Sequence, residues 1–159
     1  MPRPRWDALV RGESCPLCAE LRAPDDANEH GYPVAELDMS RLRLAANQAV
    51  AGYCVLICKQ HVREPFELGR QERTLYFEDL MRAGRAIETV FGSIKLNFQM
   101  LGNLVPHLHT HITPRYYGDP APGRPLDPSH QVHLLGADHA REPAELLRAA
   151  LRNQPREDT

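Results

Sequence analysis

His107-Leu108-His109-Thr110-His111-Ile112-Thr113 is the stretch on which the reading of this chain turns. Histidine recurs at every second position, and a period of two is that of a β-strand, whose side chains alternate between faces. The spacing predicts three imidazoles on one face, about 7 Å between neighbours, with Leu108 and Ile112 on the other face and available to a core. Imidazole is near-neutral at physiological pH, so such a row offers a nucleophilic nitrogen and N–H donors to a phosphate together. A lone histidine in a strand is most simply a solvated or core residue. Three in strict alternation, between the turn Gly102-Asn103 and Pro114, point to a site; a non-catalytic metal patch is the other reading.

Working backward, Ile94, Leu96, Phe98 and Met100 alternate with Lys95, Asn97 and Gln99, which predicts a half-buried strand ahead of the histidines. Before it, Tyr76, Leu80, Gly84, Ile87 and Phe91 recur at helical spacing from Gly69 to about Phe91, and Gly92 stands where that helix should stop. Gly52 opens the run Tyr53-Cys-Val-Leu-Ile-Cys-Lys59, apolar on both faces and therefore central to its sheet. Shorter alternations at Val34 to Asp38 and Arg41 to Ala46 complete three antiparallel strands. Residues 1 to about 32 read as a cap or knuckle with a short helix at Ala19 to Arg22. Working forward, prolines at 120, 122, 125 and 128 predict a surface loop, and Pro143 to Arg152 a terminal helix. His130, His133 and His139 fall in this tail and are read as solvated.

The chain has 159 residues, 42% hydrophobic and 25% charged, which fits one globular domain with its own core. Its 19 basic and 21 acidic side chains nearly cancel, so no broad field gathers nucleic acid or anionic lipid, and an anionic ligand needs a local site. No apolar run has membrane-spanning length and no secretory h-region follows the N-terminus, so a soluble chain in a reducing cytoplasm is expected. The four cysteines fall as Cys15 with Cys18 and Cys54 with Cys58. Cys15-Pro-Leu-Cys18 has the spacing by which two thiolates share a zinc ion that wants two further ligands. A local finger completed by His30 lacks its second histidine. Cys54 and Cys58 share a strand face and are read as core.

Residues His107 to Thr113, with the preceding Gly102-Asn-Leu-Val-Pro106, the Gly52 strand, Lys59-Gln-His61-Val and the helix, resemble the histidine triad (HIT) family over roughly residues 15 to 117, and its zinc-containing bacterial type in particular. The resemblance implies an α+β fold: an antiparallel sheet with a long helix and a C-terminal helix, commonly paired into a homodimer. Residues 1–32 would be a zinc-knuckle cap, 33–117 the core, and 118–159 a Pro-rich loop and helix of the same domain.

The resemblance further implies hydrolysis or transfer of nucleoside monophosphates from phosphoanhydride or phosphoramidate bonds. His109 would be the nucleophile, its second ring nitrogen held by an acceptor such as a main-chain carbonyl. His111 and Asn103 would hold phosphate oxygens, with Asn97 and Gln99 of the neighbouring strand also counted among the substrate contacts and Asn47 resembling a ribose contact. Relatives complete a Cys-x-x-Cys zinc site with histidines at places matched here by His61 and His107, so Cys15, Cys18, His61 and His107 are the expected ligands of a structural zinc; no organic cofactor is implied. Leu104 stands where many members carry a hydroxyl that helps protonate the leaving group, and Thr110 and Thr113 occupy apolar places of the motif. The alternative is a non-catalytic nucleotide-binding module of the same fold. A nucleic-acid-binding protein is disfavoured by the balanced charge.

Overall fold

The computed structural model describes residues 2–23, 28–126 and 132–154. In chain order they form α1 (Arg3–Val10), α2 (Pro16–Arg22), β1 (Gly31–Glu36), β2 (Ser40–Ala45), β3 (Cys54–Cys58), a 3-10 turn (Pro65–Glu67), α3 (Arg70–Phe91), β4 (Lys95–Gln99), β5 (His109–Arg115) and α4 (Ala137–Arg152). The strands make one antiparallel sheet in the order β1-β2-β3-β5-β4. The expected α+β architecture is therefore the observed one, and β3, apolar on both faces, is the central strand. No described helix is long and apolar enough to cross a membrane.

The sheet divides its side chains by alternation. On one face Leu42 and Leu44, Cys54, Leu56 and Cys58, and Leu108 and Ile112 meet Tyr76, Leu80, Ala83 and Ile87 of α3 and Leu147 of α4. Both cysteines of β3 are fully buried there, as expected of core residues. Burying each large apolar side chain of this layer contributes about 1.5 to 3 kcal/mol, which is what holds the long helix to the sheet. The opposite face carries the histidines. It is covered beside them by α2: Arg43 pairs with the Glu20 carboxylate at 2.5 Å, and Arg41 donates to the Glu20 carbonyl at 2.7 Å.

Two glycines are required by geometry. Gly92 ends α3 in the left-handed region at φ 63°. Gly52, at φ 79°, enters β3 so close to α3 that a Cβ would stand 2.7 Å from the Phe91 ring.

Four local expectations are corrected. The N-terminal residues form α1, begun with Pro2 and Pro4 where a missing N–H costs nothing, and the helix expected at Ala19 to Arg22 starts earlier, at Pro16. Helix α4 begins at Ala137 rather than Pro143; Ala140 and Ala144 bury on the same side as Leu147 and Leu151, and this packing outweighs the one hydrogen bond that Pro143 removes. The histidine strand starts at His109 and runs through Pro114 to Arg115. Its start is late because the chain is still turning at His107, whose N–H donates to the Val105 carbonyl at 2.8 Å.

Candidate functional site

The first histidine of the motif leaves the expected row. His107 is fully buried and turned toward the N-terminal cap, where its Nδ1 lies 3.5 Å from Cys15 Sγ, 3.4 Å from Cys18 Sγ and 3.2 Å from His61 Nδ1. Cys18 Sγ is also 3.2 Å from His61 Nδ1. The ligand atoms of Cys15, Cys18, His61 and His107 all lie within 4.8 Å of one another. Four elements of sequence thus converge: the loop into α2, α2 itself, the turn after β3, and the approach to β5. His30, the local alternative, is exposed beside Glu29 and takes no part.

Hydrogen bonding determines which nitrogens face the cluster. His107 Nε2 donates to the Cys58 carbonyl at 2.7 Å and His61 Nε2 to the Val10 carbonyl at 3.1 Å. A carbonyl only accepts, so both protons sit on Nε2 and both Nδ1 lone pairs point inward. Two bare lone pairs at 3.2 Å, with two sulfurs beside them, repel unless a cation lies between them. Tetrahedral zinc with its usual bonds to sulfur and nitrogen has ligand–ligand edges of about 3.3 to 3.8 Å. The four residues fit such an ion. Burial and the neighbouring Cys15 thiol push the Cys18 thiol up to about 11 in the absence of a cation, whereas a bound metal favours the thiolate. Burial pushes the His107 imidazole down to about 4, keeping it neutral as a ligand must be.

His109 and His111 remain on the open face as a pair, with ring centroids 4.9 Å apart and planes inclined by 75°. They are nearer than backbone spacing implies because the rings lean together. His109 Nδ1 donates to the His107 carbonyl at 2.6 Å, the type of acceptor expected for it, so its Nε2 is the unprotonated nitrogen while the ring is neutral. Burial lowers its pKa against the opposing effect of that carbonyl. His111 is pushed down to about 4 by burial, with His109 adding to the shift, and its Nδ1 lies 2.6 Å from the Tyr53 hydroxyl. Beneath them Leu108 and Ile112 enter the core as expected, and Thr110, in an apolar place of the motif, is buried with its hydroxyl 2.7 Å from that of Tyr76.

The other expected contacts lie on β4, in the loop before the motif and in the turn before β3. Gln99 lies opposite His111 in the register of β4 and β5. Asn97 is two residues further along, and its side-chain oxygen accepts from Arg115 at 2.9 Å. Asn103 is exposed in the loop before the motif, and Leu104 beside it is 74% exposed. The Asn47 side-chain oxygen accepts from the N–H groups of Ala49 and His133, tying the tail to the turn before β3. The tail residues His133 and His139 are exposed, as expected, and His130 lies outside the described residues. Two further side chains, one bonded to His111 and one to Asn97, are absent from the expected set. Tyr53 has a signal in its alternation with Val55 and Ile57, which puts it on the histidine face. Arg115, which also pairs with Asp119 at 2.6 Å, carries no local signal of its several partners.

Comparison with known proteins bears on this geometry. A family model described as HIT domain matches residues 30–118. Curated proteins yield no match. Among solved structures, a histidine triad protein from Bradyrhizobium japonicum is 26% identical with a TM-score of 0.69, covering 77% of this chain and 92% of its own. One from Marinobacter aquaeolei is 22% identical at a TM-score of 0.70, covering 79% and 92%. A zinc-bound histidine triad family protein from Mycobacterium smegmatis is 22% identical at 0.61, covering 87% and 94%. At the last two identities the likeness is one of fold.

Proposed function

The chain belongs to the HIT domain family, and from that premise we propose that it hydrolyses or transfers the nucleotidyl group of nucleoside phosphoanhydrides through a covalent intermediate on His109. The observation that carries this reading is the bond from His109 Nδ1 to the His107 carbonyl, which leaves Nε2 as a bare, oriented nucleophile. Nε2 attacks the α-phosphorus in line: a P–N bond forms, the P–O bond to the leaving group breaks, and that group departs with the electron pair. Water or another acceptor then attacks the same phosphorus, the P–N bond breaks, and the acceptor's proton passes to solvent. His111 and Asn103 hold the non-bridging oxygens as charge builds on them. With Leu104 offering no proton, leaving groups that depart as stable oxyanions, such as a second nucleotide or pyrophosphate, are favoured over amines.

Cys15, Cys18, His61 and His107 would hold zinc. Held by these four residues, the ion would supply rigidity, fixing His107 and with it the carbonyl that orients His109. The protein is further read as a homodimer: β4 is an edge strand, and Ile94, Phe98 and Met100 around it are partly exposed together with Phe77 and Met81 of α3. Light scattering should return the mass of two chains; a monomer at micromolar concentration overturns the pairing.

The activity is tested by rapid quench with a dinucleoside polyphosphate labelled at the α-phosphate, with peptides mapped at alkaline pH to spare the P–N bond. Label is expected on the peptide holding His109, and His109→Gly should bind nucleotide without turnover. Undiminished turnover by His109→Gly would end this mechanism. Binding by the unaltered protein without any labelling or turnover would identify a nucleotide-binding module instead.

A further inference from the structure

Tyr53 immediately precedes β3 and shares the face of Val55 and Ile57. Val55 is paired with His111 and Ile57 with His109, so Tyr53 stands diagonally across from His111, within reach of a long aromatic side chain. Its hydroxyl is 2.6 Å from His111 Nδ1, and the two rings lie nearly parallel, 6.0 Å between centroids and inclined by 16°.

We propose that Tyr53 is a positioning residue that sets the tautomer of His111: its O–H donates to Nδ1, so that the single proton of the neutral ring is held on Nε2 as the donor to a phosphate oxygen. The role rests on the reading of His111 as a phosphate contact. Its physical basis is the type of partner each Nδ1 meets. At His109 the partner is a carbonyl, which can only accept, so the proton is drawn to Nδ1 and Nε2 is bare. At His111 the partner is a hydroxyl, which can donate, so the proton can be displaced to Nε2. Burial keeps His111 neutral, leaving it one N–H to place. The reverse tautomer would aim a lone pair at the anionic oxygens the site has to hold. Two neighbouring imidazoles thus become nucleophile and donor through their backing groups alone, and the tyrosine ring holds His111 in plane.

Tyr53→Phe removes the hydroxyl and keeps the ring. The zinc-loaded protein, labelled with ¹⁵N-histidine and assigned with His111→Asn, reports the tautomer directly through its imidazole ¹⁵N shifts. His111 is expected to carry its proton on Nε2 in the parent protein and to shift toward Nδ1 or a mixture in Tyr53→Phe. With an α-labelled dinucleoside polyphosphate, kcat should fall about 10- to 100-fold, the range for losing a partner that orients an active group, while His109 is still labelled. An Nδ1-protonated His111 in the parent protein overturns the proposal, as does a tautomer unchanged by Tyr53→Phe. The ¹⁵N readout needs no turnover, so the proposal can fail while the nucleotidyl-transfer reading stands, and a parent protein without activity would fail that reading alone.

Discussion

His109 and His111 show how much one backing atom decides. Both are partly buried imidazoles on the same strand face, and burial lowers the pKa of each. For His111 the folded value falls to about 4, against an ordinary value of about 6.5 in the unfolded chain. Between those values the unfolded chain binds more protons, so the stability contributed by neutral His111 is complete above about pH 6.5 and is lost as pH falls toward 4. The groups facing it are Tyr53 from β3, His109 along β5 and Gln99 across β4; tyrosine and glutamine carry no charge in that window, and the shift at His109 acts in the same direction. Melting temperatures measured from about pH 7 down to about pH 4.5 should therefore fall less steeply in His111→Asn than in the parent protein. Equal slopes would show that His111 is not held neutral by the fold.

At the scale of elements, α3 is tied to the sheet by more than its apolar stripe. Asp79 is fully buried within it, and its carboxylate accepts from the Met39 N–H at 2.7 Å, the Ser40 hydroxyl at 2.8 Å and the Asp38 N–H at 3.2 Å. Burial raises its pKa while those three donors lower it. Asp79→Ala would leave the donors of the β1–β2 turn without this acceptor, and a loss of about 2 to 4 kcal/mol is expected from the denaturation midpoint. A midpoint within about 0.5 kcal/mol of the parent, the usual effect of a neutral surface change, would show that water replaces the carboxylate. Helical periodicity and Gly92 make α3 legible in the sequence, but nothing there pairs Asp79 with a turn about 40 residues earlier. Helix α4 is legible only from Pro143 onward, because proline reads as a start signal when the packing of Ala140 is unknown.

For the molecule as a whole, the cluster of Cys15, Cys18, His61 and His107 joins the N-terminal cap to the end of β3 and the approach to β5. Metal analysis of the purified protein should return about one zinc per chain, as four-ligand sites do. Stripping it with a strong chelator should lower the melting temperature by several degrees and expose α1 and α2 to protease before the sheet. Metal-free protein of equal stability, with both thiols freely alkylated in the native state, would remove the site. The buried pair of Arg43 with Glu20 gives α2 a second attachment, so the cap should loosen on chelation rather than unfold the sheet.

Local pattern by itself determined the main strands and the long helix, the central place of β3, the extent of α3 and the inward facing of Leu108 and Ile112, because alternation and helical period are properties of adjacent residues; the class of fold came with the family resemblance. The motif and its family resemblance were equally legible in His107 to Thr113, and they pointed to the four expected ligands. That resemblance also separated His107 from His109 and His111, but only the tertiary structure turned the buried His107 off the expected row, since its orientation depends on Cys15 and Cys18, about 90 residues away, and on the carbonyl of Cys58. The kind of acceptor behind His109 was anticipated, but which group backs each imidazole was out of reach of the sequence. A proton's place on an imidazole is set by whichever group lies within hydrogen-bond distance, and folding alone brought Tyr53 to His111 and the His107 carbonyl to His109.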